Sequence, residues 1–356
     1  MTPEYFGSAV ASIGDLDGDG IVDLAVGSPD ESTAGDRRGA VHLLYLNADG
    51  TVRDSTKIAH QLNGGPTLAD IDRFGASLTG IGDLNGDGIS DLVVGTRSDS
   101  VHVLLLNSNG TVSSSKRIAS GVNGGPAFAD GDGFGVAVTE TGDIDGDGIV
   151  DLAVSALSDD TGGTDRGAVH ILFLDSDGTV KSSTKIAHEL NGGPSLQDRD
   201  KFGTALAGVG DLDGDGINDL AVGVTDSVNQ YSGHVRILFL NSDGTVKRSA
   251  KIDGNTNGGP PINGNEYFGR ALTSVGDLDG DGVVDLAVGA PGDGTGGSYR
   301  GAVHVLFLAQ TPTVTISLDD SSLIVDETAT VTFTFSEAPV GFAADDVTVE
   351  NGTLSV

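Results

Sequence analysis

Five short acidic segments recur along the 356-residue chain, and each combines Asp with Gly at the same positions. The first, residues 15–23, reads Asp-Leu-Asp-Gly-Asp-Gly-Ile-Val-Asp, and copies begin at Asp83, Asp143, Asp211 and Asp277. Side-chain oxygens at positions 1, 3, 5 and 9, a carbonyl at position 7 and Gly at position 6 match the spacing with which a loop surrounds Ca²⁺. An all-oxygen ligand set suits a hard cation and disfavours zinc or copper.

The predicted metal ligands occupy positions 1, 3, 5, 7 and 9 of each loop, which gives one Ca²⁺ per loop and about five ions in all. Position 7 contributes only its carbonyl oxygen, so an aliphatic residue is suitable there. In chain order the predicted ligands are Asp15, Asp17, Asp19, Ile21, Asp23, Asp83, Asn85, Asp87, Ile89, Asp91, Asp143, Asp145, Asp147, Ile149, Asp151, Asp211, Asp213, Asp215, Ile217, Asp219, Asp277, Asp279, Asp281, Val283 and Asp285.

Two other interpretations of these segments compete with a calcium-binding hairpin. An EF-hand needs a bidentate Glu at position 12, where all five copies have Val, and the residues that follow each segment indicate a buried strand instead of a helix. The second alternative is a set of solvated Asp-Gly turns without metal, since these residues favour turns in any case. Five copies in fixed register favour calcium, and they account for 19 of the 52 acidic residues.

The elements that must position these loops repeat with the same period. Phe-Gly pairs keep step with the acidic segments at Phe6, Phe74, Phe134, Phe202 and Phe268, separated by 68, 60, 68 and 66 residues. Each repeat contains four short apolar runs bounded by Gly, Asn and Asp, which indicate strands A to D. In the first repeat they are residues 6–13, 23–27, 40–46 and about 55–59. Four antiparallel strands per repeat predict an all-β fold, a β-propeller of about five four-stranded blades.

The loops of these blades divide into a constant set and a variable set. The A–B segment never changes in length, whereas the B–C segment does, so that 11 to 19 residues separate the last Asp of the acidic loop from the following His or Arg of strand C. In an up-and-down blade the A–B and C–D loops share one face, here the lower face, and the B–C and D–A loops share the upper face. Variable loops on a rigid scaffold predict a protein or glycan ligand on the upper face. Its candidate contact residues are Asp36, Arg37, Arg38, Asp70, Asp72, Asp130, Asp132, Asp165, Arg166, Asp198, Asp200, Tyr231, Glu266, Tyr299 and Arg300.

The composition excludes several classes of function. A net charge of −33 disfavours nucleic acid and anionic lipid, which both select for Lys and Arg. The absence of Cys removes disulfides, zinc-thiolate sites and thiol nucleophiles. No apolar run approaches the roughly 18 residues of a membrane span, and no Ser-His-Asp set or phosphate-binding loop stands outside the repeat. His residues in or near strand C are interpreted as inherited strand residues. We therefore expect no enzyme.

The repeat resembles a known family at several points. Phe6-Gly7, the acidic loop, residues 23–29 and Val288-Gly289-Ala290-Pro291 are similar to the FG-GAP repeats of the integrin α-chain propeller. The resemblance covers about residues 5–308 and implies a calcium-bound propeller with ligand contacts on the upper face. Such propellers usually have seven blades. The fifth repeat ends after strand C at Leu308, so either residues 313–318 supply its last strand or the chain is a piece of a longer ring, which we expect.

A second composition begins near residue 310, where the Asp-Gly loops stop. The alternating segments 313–318, 329–335 and 346–350 indicate half-buried strands and resemble the opening of a bacterial Ig-like domain. The predicted domains are a propeller over residues 1–309 and a partial Ig-like β-sandwich over 310–356. The predicted blades cover approximately residues 4–66, 67–126, 127–194, 195–260 and 261–309.

Together these features predict a calcium-binding, extracellular adhesion or ligand-binding module of a large modular surface protein. The partner would be a protein or glycan, without nucleic acid or membrane insertion. The chain starts without a signal peptide, and we expect a fragment of a secreted or cell-surface protein. One alternative is a non-catalytic scaffold or carbohydrate-binding part of a polysaccharide-active enzyme, since propellers with such loops also occur there. A structural spacer in a surface fibre is another.

Overall fold

The structure is a computed structural model of the chain. It describes residues 4–225, 231–254, 256–297, 299–310, 314–319, 322, 328–335 and 347. The chain divides into two compact units, Met1–Leu308 and Ala309–Val356. The described residues form strands, turns and irregular segments, with no helix among them. They therefore contain no helix that could cross a membrane.

The first unit is a propeller of five antiparallel sheets in which the strand order follows the chain. The strands of blade 1 are β1 (Val10–Ser12), β2 (Leu24–Ser28), β3 (Ala40–Leu46) and β4 (Val52–Ala59). Those of blade 2 are β5 (Ser77–Gly80), β6 (Leu92–Gly95), β7 (Val101–Leu106) and β8 (Val112–Ile118). Those of blade 3 are β9 (Phe134–Gly142), β10 (Asp151–Ala156), β11 (Ala168–Leu174) and β12 (Val180–Ile186).

The remaining strands complete the propeller and open the second unit. Blade 4 contains β13 (Leu206–Gly210), β14 (Asp219–Val224), β15 (His234–Leu240) and β16 (Val246–Ile252). Blade 5 has three strands, β17 (Ala271–Ser274), β18 (Leu286–Ala290) and β19 (Ala302–Leu306). The prediction of an all-β propeller of about five blades is confirmed.

The second unit contributes one two-stranded sheet to the described residues. Strand β20 (Val314–Leu318) pairs antiparallel with β21 (Val331–Phe335). Of the two predicted origins for a fourth strand in blade 5, the first is therefore wrong for the described residues 314–318, because they belong to this separate two-stranded sheet and not to the sheet of blade 5. The strand predicted at 346–350 lies outside the described residues, apart from Val347.

The hydrophobic core lies between neighbouring blades. Four clusters of buried apolar side chains join blades 1 and 2, 2 and 3, 3 and 4, and 4 and 5. The Phe of each Phe-Gly pair from Phe74 to Phe268 is at most 1% exposed, because the preceding blade covers it. Phe6 has no preceding blade in the described structure and is 59% exposed. The stack of blades, and not any single sheet, therefore forms the apolar interior that fixes the loops.

Close approach between blades requires Gly both in the second strand of one blade and in the Phe-Gly pair of the next. A Cβ atom on Gly27 in β2 would lie 2.0 Å from the carbonyl oxygen of Gly75 in the next blade. Gly75 itself has a φ of +91°, a left-handed conformation that L side chains rarely adopt. Gly95 and Gly135, and Gly223 and Gly269, repeat the first contact. The Phe-Gly signal is therefore a packing signal that sets the blade spacing.

Candidate metal centres

Position 1 of each acidic loop organises the turn that follows it. In blade 1, Oδ1 of Asp15 accepts hydrogen bonds from the amides of Gly18 (2.8 Å) and Asp19 (2.9 Å), and Oδ2 accepts one from Gly20 (2.7 Å). Asp83, Asp143 and Asp211 accept the same three bonds, and Asp277 accepts two of them. Gly18 and Gly20 have φ of +80° and +87°, which bends the chain around this carboxylate.

Positions 5 and 7 continue the turn with a second repeated contact. Oδ1 of Asp19 accepts a hydrogen bond from the amide of Ile21 at 2.8 Å. The same bond forms from residue 7 to residue 5 in the other four loops, at 2.8 to 2.9 Å. The side chain at position 7 is half-buried in every blade. An aliphatic residue is therefore used here to anchor the loop on the core, which leaves its carbonyl as the only group able to bind a cation.

Position 9 has a structural role that the sequence did not indicate. Asp23 is fully buried, and its Oδ2 accepts a hydrogen bond from the amide of Leu16 (3.1 Å) while Oδ1 accepts one from Leu46 at the end of β3 (3.0 Å). The four equivalent residues make both contacts: Asp91, Asp151, Asp219 and Asp285. Each carboxylate thus ties the A–B loop to the start of the C–D turn, and this tie holds the lower face together.

Burial makes the charge of position 9 costly. Desolvation raises the pKa of Asp91 and Asp151 to about 6 and that of Asp219 to about 7, against the two backbone hydrogen bonds that favour the ionised form. Neighbouring loop carboxylates raise the pKa further, Asp87 in the case of Asp91. A divalent cation beside such a group would favour its ionised form. The chemistry of the donor set therefore fits a hard cation.

The carboxylates converge in four of the five loops. In each, three of them offer oxygens within 4.8 Å of one another, an arrangement that could hold a metal ion. The groups are Asp15, Asp17 and Asp19; Asp143, Asp145 and Asp151; Asp211, Asp213 and Asp215; and Asp277, Asp279 and Asp285. In the blade 2 loop, Asn85 stands at position 3 and its amide nitrogen donates to Oδ2 of Asp87 at 3.0 Å. The 25 predicted ligand positions lie in the expected A–B loops, except Asp151 and Asp219, which are the first residues of β10 and β14. Their binding of calcium stays a prediction.

Basic side chains from the fourth strand contact three of these loops, and the sequence did not predict these contacts. Arg53 in β4 contacts Asp17 and, at 2.5 Å, Asp19. Lys181 in β12 and Lys247 in β16 make the equivalent contacts with positions 3 and 5 of their own loops. Hydrogen bonding from Lys181 holds the pKa of Asp147 below its ordinary value. The signal was a basic residue three places after the Gly of the C–D turn.

The upper face uses several of its candidate contact residues to hold its own loops. Arg38 pairs with Asp70 at 2.8 Å, and Arg166 pairs with Asp198 at the same distance, so that each B–C loop is joined to the next D–A loop. A cavity of about 350 Å³ between blades 3 and 4 is lined by Thr164, Asp198, Arg199 and Tyr231. The ring of Tyr231 stacks on that of Tyr267 with centroids 6.0 Å apart.

The strand C His residues are packing residues, in line with their interpretation from sequence. In blades 1, 2, 3 and 5 the ring of this His meets the Phe of the Phe-Gly pair edge to face, with centroids 5.3 to 5.6 Å apart. Burial lowers the pKa of His102 and His170 to about 4, which keeps both rings neutral at physiological pH.

Known protein families match the chain in five segments, which together cover 235 of its 356 residues. A family described as FG-GAP repeat matches residues 6–44, 202–238 and 268–306, and one described as FG-GAP-like repeat matches 83–154. A family described as bacterial Ig-like domain matches 309–356. These segments coincide with blades 1, 2 to 3, 4 and 5, and with the second unit.

Integrin α chains are similar to the propeller in sequence. Integrin alpha-PS5 of Drosophila melanogaster is 34% identical over 166 residues, which are 46% of this chain and 15% of the relative. Integrin alpha-5 of Xenopus laevis is 30% identical over 245 residues, which are 64% and 21%. Integrin alpha-IIb of Mus musculus is 32% identical over 208 residues, which are 56% and 18%. The chain therefore spans about a fifth or less of the length of these relatives.

Proposed function

Since the chain carries FG-GAP repeats followed by a bacterial Ig-like segment, we propose that its integrin α-like propeller is a calcium-binding, extracellular ligand-binding module of a modular adhesion protein. The lower face would bind the ions and the upper face a protein or glycan. The propeller would end at residue 309 and the Ig-like domain would begin at residue 310. The protein would be secreted or displayed on a cell surface.

One observation carries the calcium half of this proposal. In four loops three carboxylates offer oxygens within 4.8 Å of one another, a concentration of negative charge that a divalent cation would relieve. Positions 1 and 9 are already oriented by backbone amides, so the loop is preorganised before any ion arrives. Carboxylates at positions 1, 3, 5 and 9 and the carbonyl of position 7 would hold the ion. Calcium would supply positive charge that fixes the lower face.

Calorimetric titration of the full chain tests calcium binding, and we expect a stoichiometry near five. Sites of this modular type bind with dissociation constants of about 10⁻⁴ to 10⁻³ M, so 10 mM Ca²⁺ adds about 1.4 to 2.7 kcal/mol of stability per site. Asp145→Ser combined with Asp147→Ser should remove one site. Arg166→Ser, on the upper face, is the matched control and should leave the stoichiometry unchanged. Absence of binding heat, together with an unchanged melting temperature, refutes the proposal.

The upper face supports the ligand half through its cavity between blades 3 and 4. An exposed Tyr stacked on a second Tyr offers a flat apolar surface, and Arg199 at its rim offers a fixed charge; both residue types are frequent binding contacts. Immobilised chain should therefore retain a protein or glycan from matrix-protein and glycan arrays, and Tyr231→Ala should weaken that binding. Tyr5→Ala, which removes another exposed Tyr at blade 1, is the control. Loss of binding with the control variant alone contradicts this placement.

A further inference from the structure

We propose that the basic second residue of the fourth strand, Arg53, Lys181 or Lys247, is a tethered counter-ion that sets the calcium affinity of its own loop. The inference rests on the calcium binding proposed above and adds residues outside the ligand loops. It follows from comparing blades of one chain, which present the same loop with and without this cation. The role is that of an affinity-determining residue, because the cation touches the predicted ligands and is not one of them.

The contacts are alike in three blades. The ammonium of Lys181 lies 2.8 Å from Oδ2 of Asp145 and also contacts Asp147, and that of Lys247 lies 2.8 Å from Oδ2 of Asp213 and also contacts Asp215. Both lysine side chains are only 25% exposed, so they lie along the loop and do not extend into solvent. The cation thus joins positions 3 and 5, whose oxygens the calcium ion would share.

Blade 2 is the natural variant of this arrangement. Its fourth strand carries Ser113 where blades 1, 3 and 4 have Arg or Lys, and its loop carries Asn85 where they have Asp. The amide nitrogen of Asn85 donates to Oδ2 of Asp87, the same position 5 oxygen that the ammonium contacts elsewhere. The change in the fourth strand and the change in the loop therefore offset each other. The charged hydrogen-bond donor between positions 3 and 5 is replaced by the neutral amide of Asn85.

The charges show the same compensation. Four Asp and one cation give blades 1 and 3 a local charge of −3, and three Asp with Asn85 give blade 2 the same value. In blade 4, Arg248 lies 3.7 Å from Asp213 in addition to Lys247, which leaves a local charge of −2. Because calcium affinity rises with the negative charge of the ligand set, removing the cation beside a loop should tighten the binding of calcium by that loop.

A cation at this position has two opposing effects. Without calcium it reduces repulsion among carboxylates that are only a few ångströms apart, which keeps the loop folded at low calcium concentration. With calcium it must withdraw or remain beside a doubly charged ion, and either outcome costs binding energy. The lower face would then respond to calcium over a range of concentrations, loop by loop.

Lys181→Ser, which introduces the blade 2 residue into blade 3, tests the inference in the full chain. A calcium titration is followed by NMR through the amide signal of Gly148, which donates to Asp143 at position 1. The calcium concentration at half-saturation should fall about tenfold in the variant, because one positive charge next to the site is removed. The Gly88 signal reports the unmodified blade 2 loop and should not change.

Lys116→Ser is the matched control, since this lysine pairs with Asp177 of a C–D turn, which is not one of the predicted calcium ligands. It should leave half-saturation at Gly148 within about twofold of the wild type. In EDTA, Lys181→Ser should melt at a lower temperature than Lys116→Ser. The reverse variant Ser113→Lys should raise half-saturation at Gly88, and it keeps the inference testable if Lys181→Ser does not fold.

The outcomes separate this inference from the proposed function. Saturation of Gly148 at equal calcium concentrations in the wild type and Lys181→Ser overturns the counter-ion role while calcium binding stands. The same holds if Ser113→Lys leaves half-saturation at Gly88 unchanged. Absence of saturation at all five loops of the wild type overturns calcium binding and, with it, the inference.

Discussion

Replacing Phe134 with Ala measures how strongly neighbouring blades hold each other. Its side chain is fully buried, its ring stacks on Phe128 with centroids 4.4 Å apart, and it meets His170 edge to face. Truncating a buried Phe to Ala costs about 3 to 5 kcal/mol, because apolar burial is lost and a cavity remains. Phe6 occupies the same place in the repeat and is 59% exposed, so Phe6→Ala should cost less than about 1 kcal/mol.

Urea unfolding of the full chain, followed by far-UV circular dichroism at fixed calcium concentration, compares the two variants. With an m-value of about 3 kcal/mol/M, Phe134→Ala should lower the midpoint by about 1 M or more. In a stack of repeats each blade contacts only its neighbours, so the stability is lost at the interface between blades 2 and 3. We therefore also expect this interface to unfold in a separate transition at lower urea concentration. Equal shifts for Phe134→Ala and Phe6→Ala would refute the reasoning, since they would mean that both rings are buried alike.

Three further predictions follow from contacts in the blades. Gly27→Ala should destabilise the chain by about 3 kcal/mol in urea unfolding, because its Cβ would lie 2.0 Å from a carbonyl oxygen; Gly50→Ala, with open space around it, should cost only about 1 kcal/mol for its positive φ. Burial lowers the pKa of His170 to about 4, so its ring is neutral in the folded protein above that pH. The stability that depends on this neutral ring is complete above pH 6.5 and is lost as the pH falls from 6.5 to 4, because the unfolded chain binds the proton first. This loss is at most about 3 kcal/mol, and His170→Gln should remove it from the pH dependence of the urea midpoint. Asp219→Ser should leave the amides of Leu212 and Leu240 without their acceptor and speed their hydrogen exchange about 5- to 150-fold, from about 1 to 3 kcal/mol per bond.

Each of these predictions has an outcome that contradicts it. Equal costs for Gly27→Ala and Gly50→Ala would show that the blades are not spaced as described. An unchanged pH dependence in His170→Gln would mean that the ring is solvated. For position 9 the control is Asp213→Ser, which removes a carboxylate paired with Lys247. If it accelerated exchange at Leu212 as much as Asp219→Ser, the effect would come from lost charge and not from the lost acceptor.

The sequence predicted the architecture because its signals were local and periodic. Apolar runs, Asp-Gly turns and fixed spacings are properties of single blades, and strand β3 begins and ends where its apolar run does. The first strand was predicted over residues 6–13 and covers only Val10–Ser12, since Phe6 and Gly7 form the turn that enters the blade. The fourth strand was predicted from about residue 55 and begins at Val52, because polar residues on its exposed part carry no hydrophobic signal.

The candidate sites could be predicted only where they lie within one loop. The ligand positions were found because all of them fall within nine consecutive residues. The contact between Asp23 and Leu46 joins residues 23 places apart, and that between Arg53 and Asp17 joins residues 36 places apart. Such pairs form because strands C and D return to the lower face. The order of residues along the chain does not show this return. The pairing of Arg38 with Asp70 on the upper face was missed for the same reason.

The repeats themselves show which part of the loop is architectural and which is adjustable. Positions 1 and 9 are Asp in all five copies, and both direct their oxygens at backbone amides that would otherwise lack an acceptor. Loss of the position 9 acceptor leaves a buried amide unsatisfied, so a change there should cost stability whether or not an ion is bound. Position 3 faces the fourth strand, and it alone among the side-chain ligands varies, to Asn85 in blade 2. Because that change comes with Ser113 in place of the basic residue, one negative and one positive charge are lost together, and the summed charge of loop and strand is kept while the backbone holds the shape of the loop.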